Sequence, residues 1–578
     1  MPRLLSRRLA AAASGALLVA AMPPHGLPGL AWVALCPLLV AVRGLAWRPA
    51  LRLGLLAGWV LGLGTFAFLI DTLEVFAELP RVATLPILAL FAAWVAVPLG
   101  LWTALLARVL GPRAPDLSPG TASATTNLSS VTDTSATTDL SPGTATLGAK
   151  HLSPGTAASA ATNLSPGTAA PAARTTPPAP TLGAALGRAV VVALTFTGVW
   201  SLWPALFAFS PVFGLSGRPA WIQAAELGGV ALVELLALAC SALLADAAAT
   251  TGAARLRRLA CAAAIPLLAT LLGAWRIASL AQETTRTLRV GLVQPNIPLL
   301  WDDKQARLDR LRRPSAAAAA AGAALIVWPE NIYPWPLDRP FLRDFSDADR
   351  VLAEHRVPTI FGAGNVADDD PYGYNSAFLM AADGAVLARY DKIALVPLGE
   401  RIPLVDPEWA KRQAVGMAHN FAGDAPVRFV VGDPAVALGP LICYEDIFPD
   451  LARAAAALPG GVDAFVNLTN DTWFGVTAEP SRHLALAQFR SVEHRVPTVR
   501  SVNSGPSALI DRAGRVAATT ELRPASADTP AEHLVVDVEL GRNTAARPTP
   551  FARGGWLLVH ACQAFAALVV LAALHRRR

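Results

Sequence analysis

The sequence predicts a polytopic α-helical membrane domain of about eight spans that carries one large α/β domain outside the membrane. Of its 578 residues, 53% are hydrophobic and only 16% are charged, whereas average soluble domains carry about 25% charged residues. Long apolar runs fill residues 1–282 and 554–574, and residues 288–548 alternate between strand-like and helix-like segments. The formal net charge of +6 suits the cytoplasmic face of a membrane protein and does not indicate nucleic-acid binding.

The membrane spans are predicted from run length, because a helix needs roughly 20 apolar residues to cross the hydrocarbon core. The candidate runs are residues 9–23, 27–46, 52–71, 84–110, 186–209, 226–247, 259–281 and 554–574. The first run is short, follows basic residues and ends at Pro23-Pro24, so it also resembles a signal peptide. Because no convincing cleavage site precedes a soluble domain and further spans follow at once, we expect an uncleaved helix.

Arginine residues predict the orientation of these spans, because basic residues accumulate in the cytoplasmic loops of membrane proteins. With a cytoplasmic N-terminus, eight spans place every basic cluster inside: Arg3, Arg7, Arg8, Arg43, Arg48, Arg52, Arg108, Arg113, Arg255, Arg257, Arg258, Arg576, Arg577 and Arg578. The connection with Asp71, Glu74 and Glu78 is acidic and falls outside. We therefore expect both termini in the cytoplasm and the α/β domain on the extracytoplasmic side.

Residues 114–182 differ in composition from the rest of the chain, since they are rich in Ser, Thr, Ala, Pro and Gly. The unit Leu-Ser-Pro-Gly-Thr-Ala recurs there, beginning at Leu117, Leu140, Leu152 and Leu164. Such a segment cannot bury enough apolar surface to offset the entropy of an ordered chain. We expect a disordered low-complexity insertion on the cytoplasmic side.

The α/β domain is predicted to cover residues 285–550, between membrane helices at 183–284 and the last helix and basic tail at 551–578. Strand-like runs lie at 288–293, 324–328, 359–362, 376–380, 385–390, 436–442, 464–468, 498–502 and 533–538. Helix-like stretches lie at 303–321, 343–355, 447–457 and 479–494. This alternation is typical of layered α/β folds, and the Asp383-Gly384 turn predicts a hairpin, which makes the sheet mixed.

Cys443 directly follows the apolar run 436–442 and is the only cysteine of this domain, so no disulfide can form within it. The other four cysteines lie in predicted spans: Cys36, Cys240, Cys261 and Cys562. A strand-to-helix turn would present Cys443 as a nucleophile, and the dipole of the following helix would favour its thiolate. The alternative is a buried structural cysteine.

Glu330 and Lys392 also follow strand-like runs, so all three side chains are expected at strand ends. A thiol nucleophile needs a base for its proton and a cation near the developing oxyanion, and these two residues could supply them. Taken singly, each could be a solvated surface residue. A Cys–His pair is less favoured, because helix-like or polar-loop positions hold His419, His483 and His494.

Three motifs together carry a family resemblance. They are Trp-Pro-Glu-Asn at 328–331, Asp-Lys-Ile-Ala-Leu-Val-Pro-Leu-Gly-Glu at 391–400 and Ile-Cys-Tyr-Glu-Asp at 442–446. In this order they resemble the signatures of the nitrilase, or carbon–nitrogen hydrolase, superfamily. That resemblance implies an αββα sandwich with a Glu330–Lys392–Cys443 triad. With the predicted spans on either side, nearly the whole chain resembles the apolipoprotein N-acyltransferase family; the insertion is the exception.

The resemblance implies an enzyme of the bacterial inner membrane that moves an acyl chain between two lipid substrates. A membrane phospholipid would donate the chain to Cys443 as a thioester, and the N-terminal amine of a diacylglyceryl-cysteine apolipoprotein would accept it. Glu330 would act as general base, and Lys392 with the backbone N–H of Tyr444 would stabilise the oxyanion. It implies no metal or other cofactor and no nucleic-acid partner, and we expect a monomer.

Further positions match the family site more loosely. Glu400 could orient Lys392, and Tyr444 and Glu445 would shape the pocket of the nucleophile. Trp301 matches a tryptophan near the acyl site, or is an aromatic packed on a loop. Trp473, in an apolar loop, could line the lipid entrance or dip into the bilayer.

Two other functions remain open at this point. A membrane-tethered amidase could use the same triad on a small amide. Alternatively, the chain could be a transporter or a scaffold whose outer domain only binds; scarce charge within the predicted spans disfavours ion-coupled transport, although Glu226 and Glu234 are exceptions.

Overall fold

The computed structural model describes most of the chain outside the insertion. The described residues are 2–76, 78–110, 181–204, 207, 209–298, 301–335, 337–338, 356–366, 373–397, 399–401 and 420–575. Three predictions therefore lie outside them: nearly all of the 114–182 insertion, the helix at 343–355 and the basic tail at 576–578.

The N-terminal half is a bundle of apolar helices. They are α1 (Pro2–Ala21), α2 (Cys36–Val42), α3 (Trp47–Thr65), α4 (Leu69–Phe76), α5 (Arg81–Leu110), α6 (Leu182–Leu202), α7 (Ala225–Ala248) and α8 (Gly252–Ala281). Within the described residues, six helices are long and apolar enough to cross a membrane, one of them near the C-terminus. Helices α3 and α4 form a seventh if the pair, bent by 49°, is one broken span.

The predicted span at 27–46 is not a single long helix, so the prediction of eight regular spans is wrong: the described residues contain six such helices, or seven with the bent pair. The segment forms a 3₁₀ turn, Pro28–Trp32, followed by the short helix α2. Both begin with a proline in the first turn, where the missing N–H costs nothing, whereas a proline inside a continuous helix would remove a hydrogen bond. The length of an apolar run does not depend on where its prolines lie, so run length alone predicts one helix here.

The C-terminal half contains two β-sheets. Their strands are β1 (Arg286–Gln294), β2 (Leu325–Val327), β3 (Leu337–Asp338), β4 (Thr359–Val366), β5 (Gly373–Met380), β6 (Val386–Asp391), β7 (Phe429–Val431), β8 (Val436–Ile442), β9 (Ala464–Asn470), β10 (Thr498–Asn503), β11 (Ala508–Ile510), β12 (Val516–Thr519) and β13 (Glu532–Leu540). Over the described chain, one sheet has the order β13-β1-β2-β4-β5-β6, with β3 on β4, and the other β12-β11-β10-β9-β8-β7. Both are mixed, as the sequence predicts.

Among the described residues, three helices accompany the sheets: α9 (Lys304–Ala320), α10 (Pro449–Ala456) and α11 (Glu479–His494). One apolar core joins the two sheets, with Val290 and Val327 from the first and Leu438 and Val466 from the second. Separate cores attach α9 to the first sheet and α10 to the second. The layers are therefore α, β, β, α, and the predicted fold class is confirmed.

Residues in and just after helix α11 bond the sandwich to the membrane helices. Arg482 donates to the carbonyl of Pro23 at the end of α1 over 3.2 Å and to carbonyls at the end of α3. Arg495, just after α11, pairs with Glu226 of α7 at 2.7 Å. After the sandwich the chain passes through a π-helical turn, Phe551–Gly555, into α12 (Leu557–His575). The membrane-proximal side of the second sheet is thus fixed relative to the bundle.

All nine strands predicted from the sequence are present, and three predicted helices correspond to α9, α10 and α11. The strands that the sequence did not indicate are all short: β3, β7, β11 and β12. The Asp383-Gly384 hairpin turn is present, and Gly384 has a φ of 94°, a conformation that suits glycine. The prediction of the sandwich rests on long, buried, apolar runs, whereas short edge strands give a weak sequence signal.

Candidate active site

Cys443 lies where β8 ends and the 3₁₀ turn Cys443–Ile447 begins. Its φ is 50°, in the left-handed region that a side chain with a Cβ rarely occupies. Asn467 donates from Nδ2 to the Cys443 carbonyl over 3.1 Å and helps to hold this conformation. Only 7% of Cys443 is exposed. A strained turn of this kind places a thiol at the end of a buried strand, and such strain often accompanies function.

Glu330 and Lys392 form a buried ion pair. Lys392 Nζ lies 2.9 Å from Glu330 Oε1, and the two residues are 1% and 5% exposed. The second oxygen of Glu330 accepts from the backbone N–H of Asn470 over 3.1 Å. Glu400 also pairs with Lys392 at 2.9 Å and accepts from the backbone N–H of Val396. The structure therefore brings Glu330, Lys392 and Glu400 together, each at or beyond the end of a strand.

Asn375, in β5, completes this group and was not found from the sequence. Its Nδ2 donates to Glu330 Oε1 over 2.7 Å and to Glu400 Oε1 over 2.8 Å. One amide thus bridges two carboxylates that would otherwise repel each other across Lys392. Asn375 directly precedes the strand-like run 376–380 and belongs to none of the three motifs, so the sequence gave no signal for it; the structure places it in β5, where it is 6% exposed.

The charges around Cys443 set the protonation states of the site. Burial raises the pKa of the Cys443 thiol, Glu330 raises it further and Lys392 lowers it, so that the pKa lies well above its ordinary value. Burial lowers the pKa of Lys392, but Glu330 and Glu400 outweigh it and hold the lysine charged. The expectation that a helix dipole favours the thiolate is wrong for this resting site, because a 3₁₀ turn follows Cys443 and carboxylates surround it. The thiol therefore needs a base in order to react.

Glu445 connects the 3₁₀ turn Cys443–Ile447, called the nucleophile turn below, to the loop that begins at Lys392, called the lysine loop. Its Oε1 accepts from the backbone N–H groups of Ile393 at 2.6 Å and Ala394 at 3.0 Å. Its Oε2 accepts from the Ile442 N–H at 2.7 Å and the Tyr390 hydroxyl at 2.8 Å. Burial raises the pKa of Glu445 to about 7, and the backbone donors act in the opposite direction. Glu445 thus aligns the chain on both sides of the site.

Tyr444 faces the membrane part of the molecule. Its ring packs edge-on against Phe207, in the connection between α6 and α7, with centroids 5.9 Å apart. Phe207 in turn packs against Phe66 and Phe68 at the end of α3, and Phe68 packs against Phe474. A continuous aromatic wall therefore runs from the residue after Cys443 to the membrane helices.

The two predicted tryptophans have different surroundings. The ring of Trp301 lies beside Arg310, whose guanidinium carbon is 5.1 Å from the ring centroid, and packs against the core under α9. The carbonyl of Trp473 accepts from the Thr72 hydroxyl of α4 over 2.9 Å, and 36% of Trp473 is exposed. Trp473 thus lies at the junction with the membrane helices, and the described contacts of Trp301 fit loop packing.

A buried polar cluster lies behind the nucleophile turn, and the sequence did not indicate it. His483 of α11 lies between Asp446, at 2.9 Å, and Asp471, at 3.1 Å. Arg500 of β10 pairs with both carboxylates, and all four residues are at least 95% buried. His483 falls in a helix-like segment of the sequence, which gave no reason to single it out. The only sequence feature that pointed to this cluster was Asp446, the second acidic residue after Cys443.

The chain matches two known families. Residues 289–545 match the carbon–nitrogen hydrolase family, and residues 14–129 match the apolipoprotein N-acyltransferase N-terminal domain. Relatives named apolipoprotein N-acyltransferase include those of Geobacter metallireducens, 33% identical over 50% of this chain and 54% of the relative, and Bradyrhizobium diazoefficiens, 37% identical over 44% and 45%. That of Brucella melitensis is 31% identical over 58% and 66%. The chain thus spans about half the length of the first relatives that it matches.

Among solved structures, an amidase from Nesterenkonia sp. aligns with a TM-score of 0.31 and 20% identity, over 47% of this chain and 96% of the amidase. The two matched domains and the apolar helices agree with the architecture described above. The chain is a multi-pass protein of the inner membrane, and over the matched segments it is similar to the apolipoprotein N-acyltransferase family of the carbon–nitrogen hydrolase superfamily.

Proposed function

We propose that the chain transfers an acyl chain from a membrane phospholipid, through a thioester on Cys443, to the N-terminal amine of the diacylglyceryl-cysteine of an apolipoprotein. The observation that carries this proposal is the contact between Tyr444 and Phe207. It connects a buried thiol, with a carboxylate and an ammonium beside it, to an aromatic wall of the membrane bundle. A small-amide hydrolase would have no use for that connection.

In the first step Glu330 accepts the proton of the Cys443 thiol, and the thiolate attacks an ester carbonyl of the phospholipid. Lys392 and the backbone N–H of Tyr444 stabilise the oxyanion of the tetrahedral intermediate. The C–O bond then breaks, and the alkoxide of the lysophospholipid takes the proton from Glu330. The raised pKa of Cys443 supports this order, because the resting thiol is protonated and the base is required.

In the second step the α-amine of the diacylglyceryl-cysteine attacks the thioester. Glu330 accepts a proton from the amine, the C–S bond breaks, and the Cys443 thiolate recovers a proton. The amide of the mature lipoprotein forms, and no further reactant is needed. A site that excludes water favours aminolysis of the thioester over hydrolysis, and the burial of Cys443, Glu330 and Lys392 supports this view.

The position against the bundle suits lipid substrates. Moving an acyl chain into water costs about 0.8 kcal/mol per exposed CH₂ group, so a site remote from the bilayer would be slow. The aromatic rings between Tyr444 and the helices offer apolar surface instead: Phe66, Phe68, Phe91, Phe207, Phe209 and Phe474. We propose that the donor chain lies along this wall.

We also propose that both termini are cytoplasmic and that the sandwich is periplasmic. The segment 23–43 supports this orientation although it is not one long helix. At one end Pro23 accepts from Arg482 of the sandwich, and at the other Arg43 pairs with Asp246, near the far end of α7. The segment therefore joins opposite ends of the bundle. It preserves the alternation of cytoplasmic and extracytoplasmic connections that keeps the basic clusters inside.

The supporting residues have distinct proposed roles. Glu400 and Asn375 hold Lys392 and Glu330 in place, and Glu445 aligns the nucleophile turn with the lysine loop. Tyr444 contributes a backbone donor and an aromatic wall. Trp473 borders the lipid entrance. For Trp301, the described packing on Arg310 favours a structural role.

The proposal is tested by intact mass spectrometry of the full chain in proteoliposomes. Incubation with phospholipid is expected to add one acyl chain, which hydroxylamine removes, and Cys443→Ala is expected to abolish the addition. Cys261→Ala, which removes a thiol from α8, is the matched control and should acylate normally. Acylation that persists in Cys443→Ala would refute the thioester.

A second arm separates the transferase from its alternatives. A synthetic diacylglyceryl-cysteine peptide, added to the acylated protein, should gain the acyl mass while the protein loses it. Release of free fatty acid with no gain on the peptide would indicate a hydrolase. Absence of protein acylation and peptide acylation alike would leave a binding or transport role.

A further inference from the structure

A large cavity lies on another face of the molecule, between α7, α8 and the segment that leads into α12. Its volume is about 900 Å³, and its described lining includes none of Glu330, Lys392 and Cys443. The cavity is therefore distinct from the proposed catalytic centre. It combines residues of the membrane bundle with residues of the sandwich, which places it at the level where the bilayer meets the aqueous phase.

The cavity changes in polarity along the direction of the helices. Its deeper walls are leucines of α7 and α8, among them Leu232, Leu236, Leu268 and Leu272. Arg276 of α8 lies at the other end, about 12 Å further along the helix than Leu268 at 1.5 Å per residue. Trp275, 67% exposed, stands at that level, as tryptophans do at membrane interfaces. One end is thus apolar and the other cationic.

The cationic end holds more positive than negative charge. Its basic lining residues are Arg276, Arg495, Arg542, Arg547 and Arg553, and its acidic lining residues are Glu226 and Glu283. Glu226 forms ion pairs with Arg276, at 2.6 and 2.7 Å, and with Arg495. Glu283 pairs with Arg512 and Arg547. Over the part of the chain that the structure describes, neither Arg542 nor Arg553 has an ion-pair partner.

Arg495 adds a second and independent indication. Its side chain is 8% exposed and lines the cavity, yet its Nε has no hydrogen-bond partner among the described residues. The Nη atoms of Arg495 donate to Glu226 and to the Arg512 carbonyl, so its charge is held in a fixed position in the cavity wall. The cavity thus has a fixed guanidinium and, over the described residues, two arginines without an ion pair at the same end.

We propose that this cavity binds an anionic phospholipid, with the phosphate at the arginine end and the acyl chains along the leucines of α7 and α8. Basic pockets between membrane helices recognise lipid headgroups by this combination of charge and apolar surface. A soluble anion would not use the leucine walls, and a wholly apolar molecule would leave the arginines without a counterion. The site binds lipid without reacting with it, and it does not depend on the proposed acyl transfer.

The test measures lipid binding to the full chain by native mass spectrometry. All proteins carry Cys443→Ala, so that bound lipid cannot acylate the thiol and any lipid at the catalytic centre contributes equally. The probes are phosphatidylglycerol, phosphatidylcholine and inorganic phosphate. The variants are Arg542→Ala with Arg553→Ala, and Leu272→Trp, which fills the apolar end. The matched control is Arg255→Ala with Arg257→Ala, which removes the same charge from the exposed opposite end of α8.

We expect the double substitution at Arg542 and Arg553 to weaken phosphatidylglycerol binding by roughly thirtyfold. Each basic residue near a lipid headgroup strengthens binding by roughly five- to sixfold, and two such factors multiply. Leu272→Trp should weaken it as well, and the control should bind as the parent does. Phosphatidylcholine should bind more weakly than phosphatidylglycerol, and phosphate should not compete. Unchanged affinity in either cavity variant, equal affinity for both lipids, or displacement by phosphate would overturn the proposal.

Discussion

Asn375 donates a hydrogen bond of 2.7 Å to Glu330, the carboxylate proposed to take the proton of Cys443. The same nitrogen donates to Glu400 over 2.8 Å, and Lys392 lies between the two carboxylates. An amide and an ammonium therefore hold two acids side by side in a buried site. Glu330 keeps a fixed position because three donors hold its two oxygens.

Asn375→Asp is expected to slow acylation of Cys443 by roughly a hundredfold, the range of a lost general base or oxyanion donor. The change keeps the side-chain shape but replaces two donated hydrogen bonds with repulsion from a third carboxylate. The acylation rate of Cys443 is measured in a single turnover by intact mass spectrometry. Asn365→Asp on the neighbouring strand β4, beside Arg389, is the control and should keep a rate close to wild type. Wild-type acylation in Asn375→Asp would remove Asn375 from the catalytic group.

The sequence predicted Glu330, Lys392 and Cys443 because each follows a buried apolar run, and side chains at strand ends converge at a sheet edge. The sequence did not indicate Asn375, because this residue lies within a strand and not at a strand end. The role of Glu445 was only partly foreseen: its place beside Cys443 suggested a pocket residue, whereas its carboxylate accepts from backbone groups that lie some fifty residues away in the chain. Such contacts depend on the tertiary arrangement of loops and leave no local pattern.

Glu445→Gln is expected to destabilise the fold and to abolish acylation. A glutamine side chain has one accepting oxygen, so at least one of the four donors that now face the carboxylate loses its partner. Each unsatisfied buried donor costs about 1–3 kcal/mol. Thermal unfolding in detergent measures the loss. Tyr390→Phe removes a single hydroxyl donor and should cost about 1 kcal/mol. Equal stability of the two variants would show that the backbone donors at Glu445 contribute little.

Phe207→Ala is expected to weaken use of the phospholipid donor while the thiol itself stays reactive. The ring borders Tyr444 and is partly buried, so its loss removes apolar surface that the donor chain would contact. Full burial of such a side chain contributes about 1.5–3 kcal/mol, and the lower end of that range applies to Phe207. The KM for phospholipid should rise roughly tenfold. Alkylation of Cys443 by iodoacetamide should be unchanged. Phe421→Ala, which removes a ring that packs on Tyr374, is the control. A lower kcat with an unchanged KM would contradict a chain-binding role.

His483 predicts how the stability of the protein depends on pH. Burial lowers its pKa and Arg500 opposes its charge, but Asp446 and Asp471 outweigh both and raise the pKa to about 9 from its ordinary 6.5. The folded protein therefore binds this proton more tightly than the unfolded chain does. The stabilisation is complete below pH 6.5 and is lost as the pH rises through about 9. Its upper size is about 3 kcal/mol, at 1.36 kcal/mol per pKa unit.

His483→Gln should flatten this dependence, since the amide keeps a hydrogen bond but carries no titratable proton. The Tm of the wild type should fall more steeply than that of the variant between pH 7 and pH 9.5, a range chosen to bracket the pKa of about 9. Burial raises the pKa of Glu479 to about 8 and the charge of His483 lowers it, so Glu479→Gln is introduced into both proteins to remove its titration from the comparison. His533→Gln, an exposed position in β13, is the control and should retain the wild-type slope. Parallel Tm curves for wild type and His483→Gln would mean that His483 is neutral between its two aspartates, and that Arg500 alone balances their charge.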